Sequence, residues 1–141
     1  MNQKMITLTM LVLGALVSGT AAAHKHKPLD GSLNHAFSSW GTPSVQGDWR
    51  IVEEDGKSFI ELSENFKARK GPDVKIFLSP TAANHVTGNN AVDGSVFITQ
   101  ISDFDGKARY VIPTGTDISQ FNSLVFHCEE YSKLWGTSAL R

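Results

Sequence analysis

The chain contains a single cysteine, Cys128, among 141 residues. With no second thiol there is no intrachain disulfide, so an exported domain made from this sequence is held by its core and not by staples. Methionine is scarce as well: Met1, Met5 and Met10 are the only three. Loss of an N-terminal leader would leave no thioether to ligate haem or copper. Charge of one sign is also lacking, since 13 Lys and Arg stand against 14 Asp and Glu. That balance excludes the basic excess with which nucleic-acid-binding proteins meet phosphate. No Asn-x-Ser/Thr acceptor occurs. Zinc-type ligand spacing, a nucleophile elbow, a phosphate-cradling loop and a zinc-protease motif are all missing.

The N-terminus is where apolar residues do cluster. Lys4 precedes residues 5–17, a mostly apolar run of 13 (17 − 5 + 1), followed by Ser18, Gly19, Thr20, Ala21, Ala22 and Ala23. A short positive region, a short apolar stretch and small residues describe a cleavable secretory signal, with processing expected after Ala23. The run is shorter than the roughly 20 residues of a spanning helix. Residues 1–23 are therefore expected to be a signal peptide and the protein to be exported, to the periplasm or beyond. No transmembrane segment is expected in what remains. The mature chain has 141 − 23 = 118 residues and, having lost Lys4, 12 basic against 14 acidic groups. That length suits one domain with one sizeable core.

Residues 24–36 are rich in His, Lys, Pro and Gly and show no periodicity, so a flexible tail is expected there. If the mature chain starts at His24, its free amine, two amides and the imidazole of His26 form a square-planar chelate suited to copper or nickel. A solvated basic tail is the plainer account of the same residues. Ala36, Phe37 and Trp40 are expected to dock on the domain that follows.

From Gly47 onward, short apolar alternations broken by turn residues predict an all-β domain over residues 37–141, a single-domain β-sandwich or compact barrel with short helical turns. Asp55-Gly56 predicts a two-residue hairpin between strands carrying Trp49, Ile51 and Phe59. Val74, Ile76 and Leu78 alternate as a further strand ended by Pro80. A long loop or a weak edge strand is expected over residues 81–94. Strands are expected at residues 96–101 and 108–112, on either side of a turn-prone Asp103 to Gly106, and at residues 120–128. "EEYSKLWG" is expected to add one helical turn ended by Gly136. Asp48, Glu53, Glu54, Asp55, Asp73, Asp103 and Asp105 resemble paired carboxylates, but most sit where turns want them. "SDFDG" lacks the later glutamate of a calcium loop.

Cys128 is the residue on which function turns. Side chains alternate along a strand, so Leu124, Phe126 and Cys128 share one face while Ser123, Val125 and His127 take the other. Neighbours His127 and Cys128 therefore do not form a nucleophile–base dyad; a basic partner for the thiol would come from elsewhere, such as His85. Thiolate is the reactive and ligating form. A helical turn after Cys128 would favour it, as would Lys133, while Glu129 and Glu130 oppose it. By composition alone, an isolated strand cysteine is a small buried hydrophobe.

Three ordered blocks, "ENFKARKGPDVKIFLS", "ARYVIP" and "FNSLVFHCEEYSKLWGTSAL", resemble the DM13 electron-transfer domain family over nearly the whole mature domain. The resemblance implies a β-rich module outside the cytoplasm with a redox role, often found beside DOMON and b-type cytochrome domains. It puts Cys128 at the family's cysteine position, as a naked thiol (the redox candidate) or as a ligand for a prosthetic group or metal, with haem expected before copper. A redox protein of cytochrome or DOMON type is the implied partner. The chain departs from the family at His127, where an aromatic commonly precedes the cysteine, and at Trp135, where phenylalanine is usual before Gly136. A non-catalytic cell-envelope binding module with Cys128 inert in its core is the alternative function.

Overall fold

A computed structural model describes residues 29–33 and 44–141. The expected signal peptide, Phe37, Trp40, and the His24 and His26 chelate lie outside those residues. Ten strands are described: β1 (Leu29–Ser32), β2 (Val45–Gln46), β3 (Asp48–Glu54), β4 (Lys57–Leu62), β5 (Lys67–Ala68), β6 (Val74–Ser79), β7 (Val96–Gln100), β8 (Ala108–Val111), β9 (Ser123–Cys128) and β10 (Lys133–Ala139). They form two four-stranded sheets, β1-β3-β4-β8 and β10-β9-β6-β7, and a small pair β2-β5. The architecture is an all-β sandwich, every strand pair being antiparallel.

The β3–β4 hairpin turns at Asp55 and Gly56, whose φ angles of 51° and 71° are the left-handed values a two-residue hairpin needs. Alternation then sends Trp49 and Ile51 of β3 and Ile60 and Leu62 of β4 inward, against Val74, Ile76 and Leu78 of β6 and Leu124 and Phe126 of β9. A bond from Trp49 Nε1 to Ser138 Oγ at 2.9 Å ties the two sheets together inside this core and satisfies the one polar atom of the indole.

Two expectations need revision. Leu29–Ser32, inside the segment expected to be a tail, pairs with β3 from Leu29↔Ile51 to Ser32↔Asp48. Leu33 behind it is fully buried; burial of that one side chain against the sheet gives the strand an anchor that composition does not reveal. The segment after Cys128 is not helical. Residues 129–132 make a turn with Ser132 at φ 47°, and Lys133–Ala139 runs back along β9. A bulge between Leu134 and Gly136 shifts the register there. Leu134 and Trp135 serve opposite faces of the sheet by ordinary alternation, and the bulge sets Trp135 and Gly136 together against Phe126. β7 and β8 flank Asp103 to Gly106 as expected; β7 joins β6 and β8 joins β4, so this connection crosses from one sheet to the other.

All six residues of β9 are buried. One face looks into the sandwich. The other is covered by residues 80–95, the long connection between β6 and β7, whose Val86 and Ala91 close a second small core with Phe77, Val125 and Leu134. Polar latches hold this cover: Ser123 Oγ donates to the Thr81 carbonyl at 2.7 Å and Thr137 Oγ1 to the Ala83 carbonyl at 3.0 Å.

Candidate functional site

Cys128 ends β9, placed by register between Val74 of β6 and Lys133 of β10. Its side chain points into the sandwich and is 0% exposed, in one cluster with Val74, Phe66, Phe126 and Trp135. Phe66 and Phe126 lie 5.7 Å apart between ring centroids. Trp135 Nε1 donates to the Arg69 carbonyl at 2.8 Å, fastening β10 to the bend that leads through Gly71, Pro72 and Asp73 into β6. The thiol is free. It sits one residue from an exposed turn in which Glu129, Glu130, Tyr131 and Ser132 all face solvent. Phe126 and Trp135 supply its apolar surroundings, while Tyr131 is 53% exposed and does not.

His127 occupies the opposite face, beside Lys75 of β6 and Leu134 of β10. The strand separates the imidazole from the thiol, as alternation requires. Burial lowers the pKa of His127; the Glu129 carboxylate, a hydrogen bond to the Lys133 backbone and the Asp73 carboxylate push it the other way, while Lys75 adds to the lowering. The Lys133 carbonyl takes one ring N–H, and Nδ1 is buried with no partner among the described residues. Lys75 bridges Glu129 and Asp73, the latter at 3.1 Å. The Glu129 hydrogen bond, then that of Asp73, raises the lysine's own pKa. His85 lies in a short 3-10 turn (Ala83–His85) of the covering segment, on the His127 side of the sheet, and offers no base to the thiol.

Among the described residues no three His, Cys, Asp or Glu side chains converge on a point that would hold a metal. Haem does not fit either, because the sulfur is enclosed by close-packed apolar side chains of both sheets. A cavity of about 560 Å³ exists at the far end of β9, lined by Ser32, Asn84, Asn122, Thr137, Ser138 and Arg141 among others. It is roughly 16 Å from Cys128 at about 3.3 Å per strand residue. Three of its polar groups are spent on internal bonds: Thr137 to the Ala83 carbonyl, Ser138 to the Ser32 carbonyl and Asn122 to the Pro80 carbonyl.

A family model described as Electron transfer DM13 matches residues 37–140. The chain belongs to the DM13 family. No curated protein and no solved structure matches it. Membership gives this DM13 domain a role related to electron transfer, with a redox partner. Both departures noted in the sequence now have a structural setting. The indole at position 135 makes a hydrogen bond that a phenylalanine could not, and His127 faces away from the sulfur that it precedes. Sequence reasoning missed Val74 and Phe66 as walls of the thiol pocket; the periodicity of β6 marks Val74 as inward, but nothing local says which strand it will lie against.

Proposed function

We propose that this DM13 domain is an exported electron-transfer module whose redox group is the Cys128 thiol itself, with no prosthetic group on the sulfur. What supports the reading is the position of Cys128: the only sulfur left once residues 1–23 are removed, wholly enclosed, yet at the very end of its strand and next to a solvent-exposed turn. Enclosure keeps a thiol off the oxidation ladder that exposed thiolates descend. In a one-electron step Cys128 passes an electron to the acceptor cofactor of a cytochrome or DOMON-type partner and its proton to water at the turn of residues 129–132, leaving a thiyl radical. Thiol–disulfide exchange needs direct attack on sulfur, and in this structure it would wait for residues 129–132 to open. The test combines two measurements on the purified, processed protein: the rate of electron exchange with a b-type cytochrome, and the same rate for Cys128→Ala. Equal rates would end the proposal, and a Soret band on the isolated protein would replace the naked thiol by a haem ligand.

The complete burial of Cys128 favours a second reading, a cell-envelope binding module in which the thiol is a small core hydrophobe. Thiol labelling of the native protein separates the two: labelling no faster than global unfolding supports the inert cysteine. Export, and copper or nickel binding by His24 and His26, belong to the same proposal. Mass spectrometry of the mature N-terminus tests both, because a start at any residue other than His24 removes the chelate.

A further inference from the structure

The outer face of β9 presents an oddity that the thiol does not explain. His127 is 3% exposed and its Nδ1 has neither donor nor acceptor opposite it. Buried polar atoms are nearly always paired, and an unpaired one asks for a reason. Residues 80–95 cover the face of the sheet on which this ring lies. They are latched at Thr137 through Ala83 and pack Val86 and Ala91 on Val125 and Leu134. At the turn after Cys128, Gly88 lies so close to Ser132 that a Cβ would come within 2.1 Å of the Ser132 carbonyl oxygen. His127 lies between Val125 and that turn, on the covered face.

We propose that residues 80–95 form an acid-sensitive flap over β9, held down while the His127 imidazole beneath it is neutral and released when that ring takes up a second proton. Neutral imidazole needs only one donor bond, and the Lys133 carbonyl provides for it. Imidazolium has two N–H groups, and the second would point from Nδ1 into a space without an acceptor. Opening gives it water. The surrounding charges are mixed. On β6, Lys75 stands opposite His127 and opposes its charging, while Asp73 at the strand's start favours it; in the turn, Glu129 favours it too. On β10, Lys133 offers its carbonyl and keeps its ammonium in solvent, and the flap's own titratable groups, His85 and Asp93, are exposed. Because burial holds the closed-state pKa of His127 down, the closed state is intact above about pH 6.5, the ordinary histidine value. It weakens as pH falls below that value toward the depressed one. Release would uncover Phe77, Val125 and Leu134 beside Phe97, already 49% exposed, and so join them into one apolar surface. This device does not depend on what Cys128 does.

Hydrogen exchange on the intact protein, corrected for the intrinsic effect of pH, tests it. Between about pH 7.5 and about pH 5, protection of amides in residues 83–95 should fall about tenfold for each pH unit separating the two pKa values, while β3 and β4 keep theirs. A dye that fluoresces on apolar surfaces should brighten over the same range. In His127→Leu, which cannot titrate, both responses should vanish; in His85→Asn they should persist. Should His127→Leu not fold, the wild-type protein still decides by NMR, since the Val86 and Ala91 methyl signals must move with the His127 ring titration. The proposal is overturned if flap protection ignores pH, if the response disappears with His85, if β3 and β4 loosen together with the flap, or if those methyl signals do not follow His127.

Discussion

Trp135 and Arg69 are joined by a hydrogen bond from indole Nε1 to a backbone carbonyl at 2.8 Å, across 66 positions of sequence. It pins β10 to the bend beside Cys128. A phenylalanine in this place loses the bond and leaves a void against Gly71, where the indole's outer ring packs, together worth about 2–3 kcal/mol. Trp135→Phe is expected to fold, to unfold at lower urea concentration by about that free energy with an unchanged slope, and to raise the native labelling rate of Cys128.

The thiol's surroundings predict an order among substitutions. Cys128 is fully enclosed by apolar groups, so a serine hydroxyl would lose its water without gaining a partner, at a cost of about 1–3 kcal/mol. Cys128→Ala leaves only a small void. Urea titration should place the stabilities in the order wild type, Cys128→Ala, Cys128→Ser; a serine variant as stable as the alanine one would mean that a polar partner or water reaches the site.

Ser132 adopts φ 47° in the turn that caps the thiol. A left-handed backbone costs a non-glycine residue about 1–2 kcal/mol, offset in part by the greater freedom glycine gives the unfolded chain. Ser132→Gly is therefore expected to stabilise by about 0.5 kcal/mol, read as a small rise in Tm by calorimetry. Ser132→Val should do the reverse.

Lys75 ties Asp73 and Glu129 together beside His127. Lys75→Gln removes a cation that opposes protonation of the imidazole and frees two carboxylates that favour it. The pKa of His127 should rise, and since the closed form then resists the proton less, acid loosening of residues 80–95 should become shallower. An NMR titration of the His127 ring, followed alongside amide exchange in the flap, checks the direction of both changes.

Much of this molecule is written in short stretches of chain. Asp55-Gly56 dictates its hairpin because the left-handed φ values required there suit few other pairs. The alternation in Ser123–Cys128 alone sets His127 and Cys128 on opposite faces, which rules out a dyad before any contact is known. What local pattern could not decide was partnership across the fold. Leu29–Ser32 becomes a strand because β3 offers it an edge and Leu33 a place in the core. Lys133–Ala139 is extended because it closes on β9, with Trp135 as the extra residue of a bulge between Leu134 and Gly136. The covered outer face of β9, and with it the solitary nitrogen of His127, exists only because a loop of weak local preference finds Val125 and Leu134 to lie on. Periodicity and turn chemistry act over a few residues and are legible in the chain. The choice of which surfaces meet depends on excluding water from all of them together, and only the assembled sandwich makes it.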